Sequence, residues 1–266
     1  MTTSPFLGRD AIEALYGRAD RLATRTSALH RAKVAGRPVA EAIASLASAY
    51  GQRRGPHVVA DIGCGRGSST RALATRLRPA RLIGIDASAA LLADARRRTD
   101  FPVSWVRADF HRLPLPSASC TVAVAAFCLY HSPRPETVVN EMARCLVPGG
   151  IAVLVTKSAD SYQELDYVVA DAGLDKDAHN RPSLYASAHS GNLATLVSSA
   201  LGTVHIEHEE HRFLFHGHQH LAEYLATTPK YRLPPEPAIR ASLPDRPTPA
   251  SSVVTYVVAA RYGLIP

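Results

Sequence analysis

The 266-residue chain contains no run of about eighteen apolar residues, the length a helix needs to cross a bilayer. Its opening stretch, Met1 to Arg9, also lacks the charged-then-apolar layout of an export signal. The expected compartment is the cytoplasm, with no membrane partner. Cysteine is scarce. Cys64, Cys120, Cys128 and Cys145 stand apart without any Cys-x-x-Cys pair, a pattern that speaks against both a zinc site and a disulfide framework. They read as reduced, mostly buried thiols, and no metal is expected. Lysine is scarce too, at four (Lys33, Lys157, Lys176, Lys230) against 26 arginines, a bias that together with abundant alanine points to a GC-rich bacterial genome.

The residues that are present suffice for one full core, since 46% are hydrophobic and the length is at the upper end for a single domain. The net charge of +7 is lopsided: residues 1–112 hold 19 basic and 9 acidic side chains, residues 113–266 hold 11 and 14. A basic half attracts nucleic acid or a small anion. Many of its arginines (Arg71, Arg76, Arg78, Arg96, Arg97, Arg98) fall on predicted helix faces, where a solvated surface is the simpler reading.

Apolar positions at helical spacing (Ile12, Leu15, Tyr16, Leu22, Ala23, Ile43, Leu46) predict a helical segment before residue 50, broken at Gly36-Arg37-Pro38. From His57 onward, short apolar strands alternate with amphipathic helices. Strands are predicted at 58–62, 81–85, 103–107, 121–127 and 151–156, and helices near 69–77, 88–98 and 135–146. Strands that are apolar throughout must be covered on both faces, which implies a doubly wound α/β domain with ligands at the carboxyl ends of its strands. After Lys157 the alternation loosens into a helical stretch at 161–172, an irregular piece at 175–182 and a helix at 193–201. Two last strands, 204–215 and 253–261, are separated by an unusually long gap. The expected organisation is a helical lid over 1–50, a cofactor-binding core over 51–157, and completion of the sheet with substrate-cap insertions over 158–266, all within one structural domain.

The strongest local signal is Val58-Val59-Ala60-Asp61-Ile62-Gly63-Cys64-Gly65-Arg66-Gly67-Ser68-Ser69-Thr70, a buried strand running into a glycine turn and then a helix. Glycines let the backbone approach a ligand closely and aim amides and a helix N-terminus at its negative end. The spacing is Gly-x-Gly-x-Gly, and Ser68 stands where a nicotinamide fingerprint carries its third glycine. Next, Leu82-Ile83-Gly84-Ile85-Asp86-Ala87-Ser88 offers Asp86, whose two oxygens can accept both hydroxyls of a ribose, and Ser88, a helix cap. Arg107-Ala108-Asp109-Phe110 closes the third strand and Ala126-Phe127-Cys128-Leu129-Tyr130-His131 the fourth. Leu146-Val147-Pro148-Gly149-Gly150 forms the turn before the fifth.

In this order, over residues 58–157, these elements resemble the class I (Rossmann-like) S-adenosylmethionine-dependent methyltransferases of the small-molecule type. The resemblance implies a doubly wound seven-stranded, mostly parallel sheet with helices on both faces and helical cap elements, and S-adenosylmethionine as cofactor. It places cofactor contacts at Tyr16, Asp61, Gly63, Cys64, Gly65, Gly67, Asp86, Ala87, Asp109, Phe110 and Phe127. Asp109 would accept from the adenine amine while its neighbours pack on the ring, and Tyr16 would close over the methionine end. Positioning and a dry site can provide most of the acceleration of methyl transfer. Where a base is needed, His131 is the best-placed catalytic candidate, with Tyr130 second.

Six of the twelve histidines (His205, His208, His211, His216, His218, His220) invite a metal reading. Gly217 and the helical pattern at 221–225 end that strand too early, so a polar cap bearing Phe213, Phe215, Tyr224 and Tyr231 that shapes an acceptor pocket is preferred. The expected function is methyl transfer to oxygen, nitrogen or carbon of a small molecule, in bacterial specialised metabolism, by a monomer or homodimer with no nucleic-acid partner. Two alternatives stay open. One is a nucleic-acid methyltransferase, favoured by the basic half but lacking an Asn/Asp-Pro-Pro-aromatic clamp and a Pro-Cys nucleophile. The other is a protein of this fold that transfers no methyl group.

Overall fold

The predicted apolar strands do form one sheet. The computed structural model describes residues 7, 13, 15–17, 19–52 and 57–262; Ile12, the first apolar position of the expected N-terminal helix, lies outside the described residues. Among the described residues, helices α1 (Ala19–Ala32) and α2 (Val39–Tyr50) lie before the core. The core strands are β2 (Val58–Ile62), β3 (Arg81–Asp86), β4 (Ser104–Arg107), β5 (Cys120–Ala126) and β6 (Leu146–Lys157), parallel in the spatial order β6-β5-β2-β3-β4. Helices α3 (Ser68–Leu77), α4 (Ala89–Arg97) and α5 (Pro135–Cys145) make the crossovers. The chain leaves β2 toward β3 and β4 on one side and returns to β5 and β6 on the other. The crevice where the order reverses, at the carboxyl ends of β2 and β5, is where such a sheet binds ligands.

Side chains one residue apart point to opposite faces. Thus Ile62, Ile83, Ile85, Ala123 and Leu154 pack with Met142 of α5 on one face. Val59, Leu82, Val122 and Val153 pack with Ile43 of α2 and Leu73 of α3 on the other. This two-sided burial explains why the strands carry almost no polar residues. Helix α5 starts with Pro135 at its first turn, where a missing N–H costs nothing, and buries Val138, Val139, Met142 and Cys145.

The expected turn before the fifth strand is a bulge within it. Cys120 pairs with Leu146 but Val122 with Ile151, so Pro148-Gly149-Gly150 is looped out between two paired stretches, with Gly149 at φ +73°. Three further helices, α6 (Glu164–Asp171), α7 (Leu193–Ser198) and α8 (Gly217–Leu225), and a fourth, α9 (Glu236–Ser242), fall after β6. The sheet is completed by β8 (Thr248–Ala260), antiparallel to β6, and by β7 (Gly202–Phe215), antiparallel to β8. An eighth strand, β1 (Lys33–Ala35), pairs antiparallel with β7 at Arg212 and Phe213. The expected count of seven is corrected by this three-residue piece beside the predicted break at Gly36. It is too short to carry a periodic signal, and forms because the long edge strand β7 offers unpaired backbone groups.

A separate apolar cluster joins Ala28 and Ala32 of α1, Leu165 and Val169 of α6, Leu221 and Tyr224 of α8 and Ile239 of α9 to Phe213 and Phe215 of β7. It stands at the carboxyl-terminal side of β6 and beside the crevice. Among the described residues, no helix is long and apolar enough to cross a membrane.

Candidate active site

At the end of β2 the chain turns through three left-handed glycines, Gly63 (φ +65°), Gly65 (φ +53°) and Gly67 (φ +76°), the last of which precedes the first residue of α3. The loop is tied down by its own backbone: Cys64 N–H donates to Ile85 O at 3.0 Å and Gly67 N–H to Cys64 O at 2.9 Å. A Cβ on Gly65 would meet nothing within 4 Å among the described residues, so this backbone is open on the side of the cavity that they define. A Cβ on Gly63 would lie 2.5 Å from Cys128 Cβ, so here glycine also lets β2 and β5 approach.

Asp86, at the tip of β3, accepts from Gly65 N–H at 2.9 Å through Oδ2 and from Ser88 N–H at 2.8 Å through Oδ1. Burial raises its carboxyl pKa, opposed by these amides. Each oxygen keeps acceptor capacity for a further donor. Ser88 caps α4 by accepting from Leu91 N–H at 3.2 Å, and its hydroxyl donates to Tyr16 O at 2.7 Å.

A cavity of about 2030 Å³ opens beside these strand ends. Gly63, Cys64, Gly65, Asp86, Ala87, Asp109, Phe110, Phe127, His131 and Tyr16 all border it, so the structure brings ten of the twelve expected site residues together. Asp61 and Gly67 do not. Asp61 is 1% exposed and lies behind the loop, where Oδ2 accepts from Ser69 Oγ at 2.8 Å and Thr70 Oγ1 at 2.5 Å. Those hydroxyls hold the first turn of α3 onto β2, and burial pushes the Asp61 carboxyl up to about 6. Among the described residues its Oδ1 is buried without a hydrogen-bond partner.

At the end of β4, Asp109 Oδ1 accepts from His111 N–H at 2.9 Å and lies 2.7 Å from His111 Nδ1, while His111 Nε2 lies 2.7 Å from Ser132 Oγ. His111 thereby fixes the Asp109 carboxylate and links it to the loop after β5. That role was not foreseen from sequence, although an imidazole two residues beyond a strand-end aspartate is the available signal. Phe127 adopts φ +54°, a strained conformation for a bulky residue, which turns its ring onto the cavity.

His131 ends a 3₁₀ turn (Leu129–His131), with Nε2 2.8 Å from the Tyr16 hydroxyl. Among the described residues its Nδ1 is buried without a hydrogen-bond partner, and burial, with Arg25 nearby, lowers its pKa to about 3. The imidazole is therefore neutral and weakly basic near pH 7. Tyr130 is buried and its phenol pKa is raised well above the ordinary value by the same desolvation. We expect turnover between pH 5 and 8 to show no inflection from His131; an inflection near 6.5 that His131→Asn removes would restore a proton-transfer role. Because the native pKa lies below the unfolded 6.5, the unfolded chain binds the extra proton. This contribution to stability is present above 6.5 and is lost as pH falls from there toward 3, so His131→Asn should flatten part of the acid-side loss of Tm.

The other end of the cavity is lined by residues that sequence reasoning missed. Arg25 of α1, Lys157 at the carboxyl end of β6, and Tyr162 and Tyr185 from the segments after β6 join the expected Phe213, Tyr224 and Tyr231 there. Phe215, also expected in this lining, is instead fully buried in the cap cluster. A lysine closing an otherwise apolar strand in a doubly wound fold was a readable signal for Lys157; Arg25 carried none. Of the histidine cluster, only His211 borders this cavity. Strand β7 ends at Phe215, and His216 and His220 stack at the start of α8, with His220 Nε2 2.9 Å from Ala28 O. Cys64 and Cys128 are buried, which raises both thiol pKa values far above reactive range.

Residues 60–154 match the family described as "Methyltransferase domain". A trans-aconitate 2-methyltransferase of Acidovorax sp. is 31% identical over 189 residues, covering 69% of this chain and 72% of that protein. Another, of Azoarcus sp., is 36% identical over 96 residues, where the match spans 36% of this chain and only 37% of the relative. Among solved structures, a putative methyltransferase from Bacillus halodurans superposes with a TM-score of 0.58 at 17% identity, over 85% of this chain and all of that one. At that identity the superposition speaks for the fold alone.

Proposed function

This chain belongs to the class I S-adenosylmethionine-dependent methyltransferases, and from that premise we propose that it transfers the methyl group to a small molecule held in the same cavity as the cofactor. The observation that carries this reading is the continuity of one cavity from Asp86 and Asp109 to the tyrosine-lined end at Lys157. At about 2030 Å³ it exceeds the roughly 300–1,000 Å³ of a single-ligand pocket, leaving room for cofactor and acceptor side by side.

The residues fit the cofactor. Gly65 turns open backbone to the cavity, Asp86 presents two oriented oxygens for a ribose diol, and Asp109, held by His111, stands with Ala87 and Phe110 for the adenine. Gly63, Cys64, Phe127 and Tyr16 surround the methionine end. Asp61 and Gly67 support this site from behind. When bound, S-adenosylmethionine supplies a methyl carbon on a sulfonium, whose leaving group departs as a neutral thioether. The chain's own part is to orient the acceptor and keep water out. His131 serves by holding the Tyr16 hydroxyl in place rather than by moving a proton. The two relatives named for trans-aconitate support a small-molecule acceptor over a polymer.

The test is incubation with methyl-labelled S-adenosylmethionine and pools of small molecules, RNA or DNA. S-adenosylhomocysteine should appear in step with a labelled small product. Label in nucleic acid, or cofactor binding without release of S-adenosylhomocysteine for any acceptor, would refute the reading.

A further inference from the structure

Lys157 sits where a cation is expensive. Its ammonium lies 4.5 Å from the ring centre of Tyr162, 5.3 Å from that of Phe127 and 5.9 Å from that of Tyr185, and donates to the Tyr162 hydroxyl. Among the described residues that hydroxyl is its one hydrogen-bond acceptor and no carboxylate forms an ion pair with it, so two of its three donors remain to be satisfied from the cavity. Burial, with Arg25 and Lys33 nearby, brings its pKa down to about 7. Aromatic faces compensate part of the desolvation of an ammonium, but a counter-ion compensates more.

The charges around it have one sign. Arg25, bonded to the Tyr16 hydroxyl at 3.5 Å, also forms no ion pair with a described carboxylate, and Lys33 borders the same end; His211 there is kept neutral near pH 7 by burial, which lowers its pKa to about 4, and lies 3.6 Å from Glu209. Among the described residues, the acids on the cavity wall are Asp86 and Asp109, at the far strand ends, and Glu13, before Tyr16. Of the acidic groups that follow β6, Glu164 accepts from Ser251 Oγ and does not border the cavity, Asp166 is used by Lys230 and the Tyr231 hydroxyl, each at 2.7 Å, and Asp175 by Arg181 at 2.9 Å. The cofactor's carboxylate can neutralise one cation, but its sulfonium adds another positive charge. The walls beyond the cations are flat and apolar, formed by Phe127, Tyr162, Tyr185, Phe213 and Tyr224.

We propose that the acceptor is a small carboxylic acid with a flat, unsaturated body, and that Lys157, with the Tyr162 hydroxyl beside it, is the specificity-determining residue that binds its carboxylate. This rests on the methyltransferase reading and names the substrate class for it. It also accords with a site whose imidazole and phenols are poor bases, because a carboxylate is already ionised near pH 7 and asks for none.

The experiment is calorimetric titration of the S-adenosylhomocysteine-loaded protein with trans-aconitate, cinnamate and indole-3-acetate, each against its amide. At least one acid should bind at least tenfold more tightly than its amide. Lys157→Met should abolish that preference and Lys157→Arg should keep it in part, while the affinity for S-adenosylmethionine stays within about twofold of wild type in both. Equal binding of acid and amide, no binding of any acid, or an unchanged preference in Lys157→Met overturns the proposal. So does a tenfold loss of cofactor affinity in Lys157→Met, which would assign the lysine to the methionine carboxylate. Failure of the methyltransferase reading is a separate result: the wild-type protein would not bind S-adenosylmethionine or would release no S-adenosylhomocysteine with any acceptor.

Discussion

Asp86→Ala is expected to weaken S-adenosylmethionine binding by about 100-fold or more in calorimetry, with only a small fall in Tm. One carboxylate here does two things. It accepts Gly65 N–H and Ser88 N–H, which fixes the glycine loop against the start of α4. The same oxygens face the cavity where a ribose diol would donate to them. Hydrogen bonds to a charged acceptor contribute about 1.5–3 kcal/mol each, and two lost from the ligand correspond to a hundredfold or more in Kd. The partly exposed loop amides can turn to water, so stability suffers less than affinity. Asp86→Asn separates the parts: an amide oxygen can still take one amide, but its NH2 cannot accept a hydroxyl. Unchanged affinity in both variants would remove the cofactor assignment at its centre.

Gly63→Ala is expected to cost about 2–4 kcal/mol of stability in denaturant titrations and to abolish cofactor binding at accessible concentrations. Two causes act together. The backbone is left-handed at φ +65°, where a Cβ is strained. The new methyl would also stand 2.5 Å from Cys128 Cβ and 2.9 Å from its Sγ, so β2 and β5 would have to part at the switch point. Gly65→Ala distinguishes the causes, because it has a similar φ of +53° but nothing within 4 Å of its Cβ. That variant should keep most of its stability and lose cofactor affinity, since its methyl intrudes on open space at the cavity. Equal Tm losses in the two variants would contradict the packing explanation.

The parallel core was legible because burial on both faces demands apolar strands, and the strand-end loops carry the chemistry in a fixed order. Asp86, Gly63 and Gly65 could be placed on the cavity from residue type and spacing alone. Asp61 could not be separated from them: the same acid at the same spacing can face a ligand or, as here, clamp Ser69 and Thr70 at the first turn of α3. Spacing reports position along a strand, and whether a side chain at its end turns forward or backward depends on partners several residues away. His131 shows a similar limit. Its place beside the site followed from the fourth-strand motif, whereas its depressed pKa arises from burial and from Arg25, a residue 106 positions earlier in the chain.

By itself the sequence determined the doubly wound sheet and the order of its strand-end loops, because local apolar patterning and glycine stereochemistry act within a few residues, and it was the resemblance of those ordered loops to a known family that implied the cofactor. The tertiary structure alone decided the tyrosine-lined end of the cavity. Arg25 from α1, Lys157 from β6, Tyr185 from an irregular stretch and Tyr224 from α8 meet there across nearly two hundred positions, and short β1 joins the sheet only because β7 offers it an edge. No local pattern encodes such a meeting, since each of these side chains is ordinary in its own segment and gains its chemistry from the neighbours that folding brings to it.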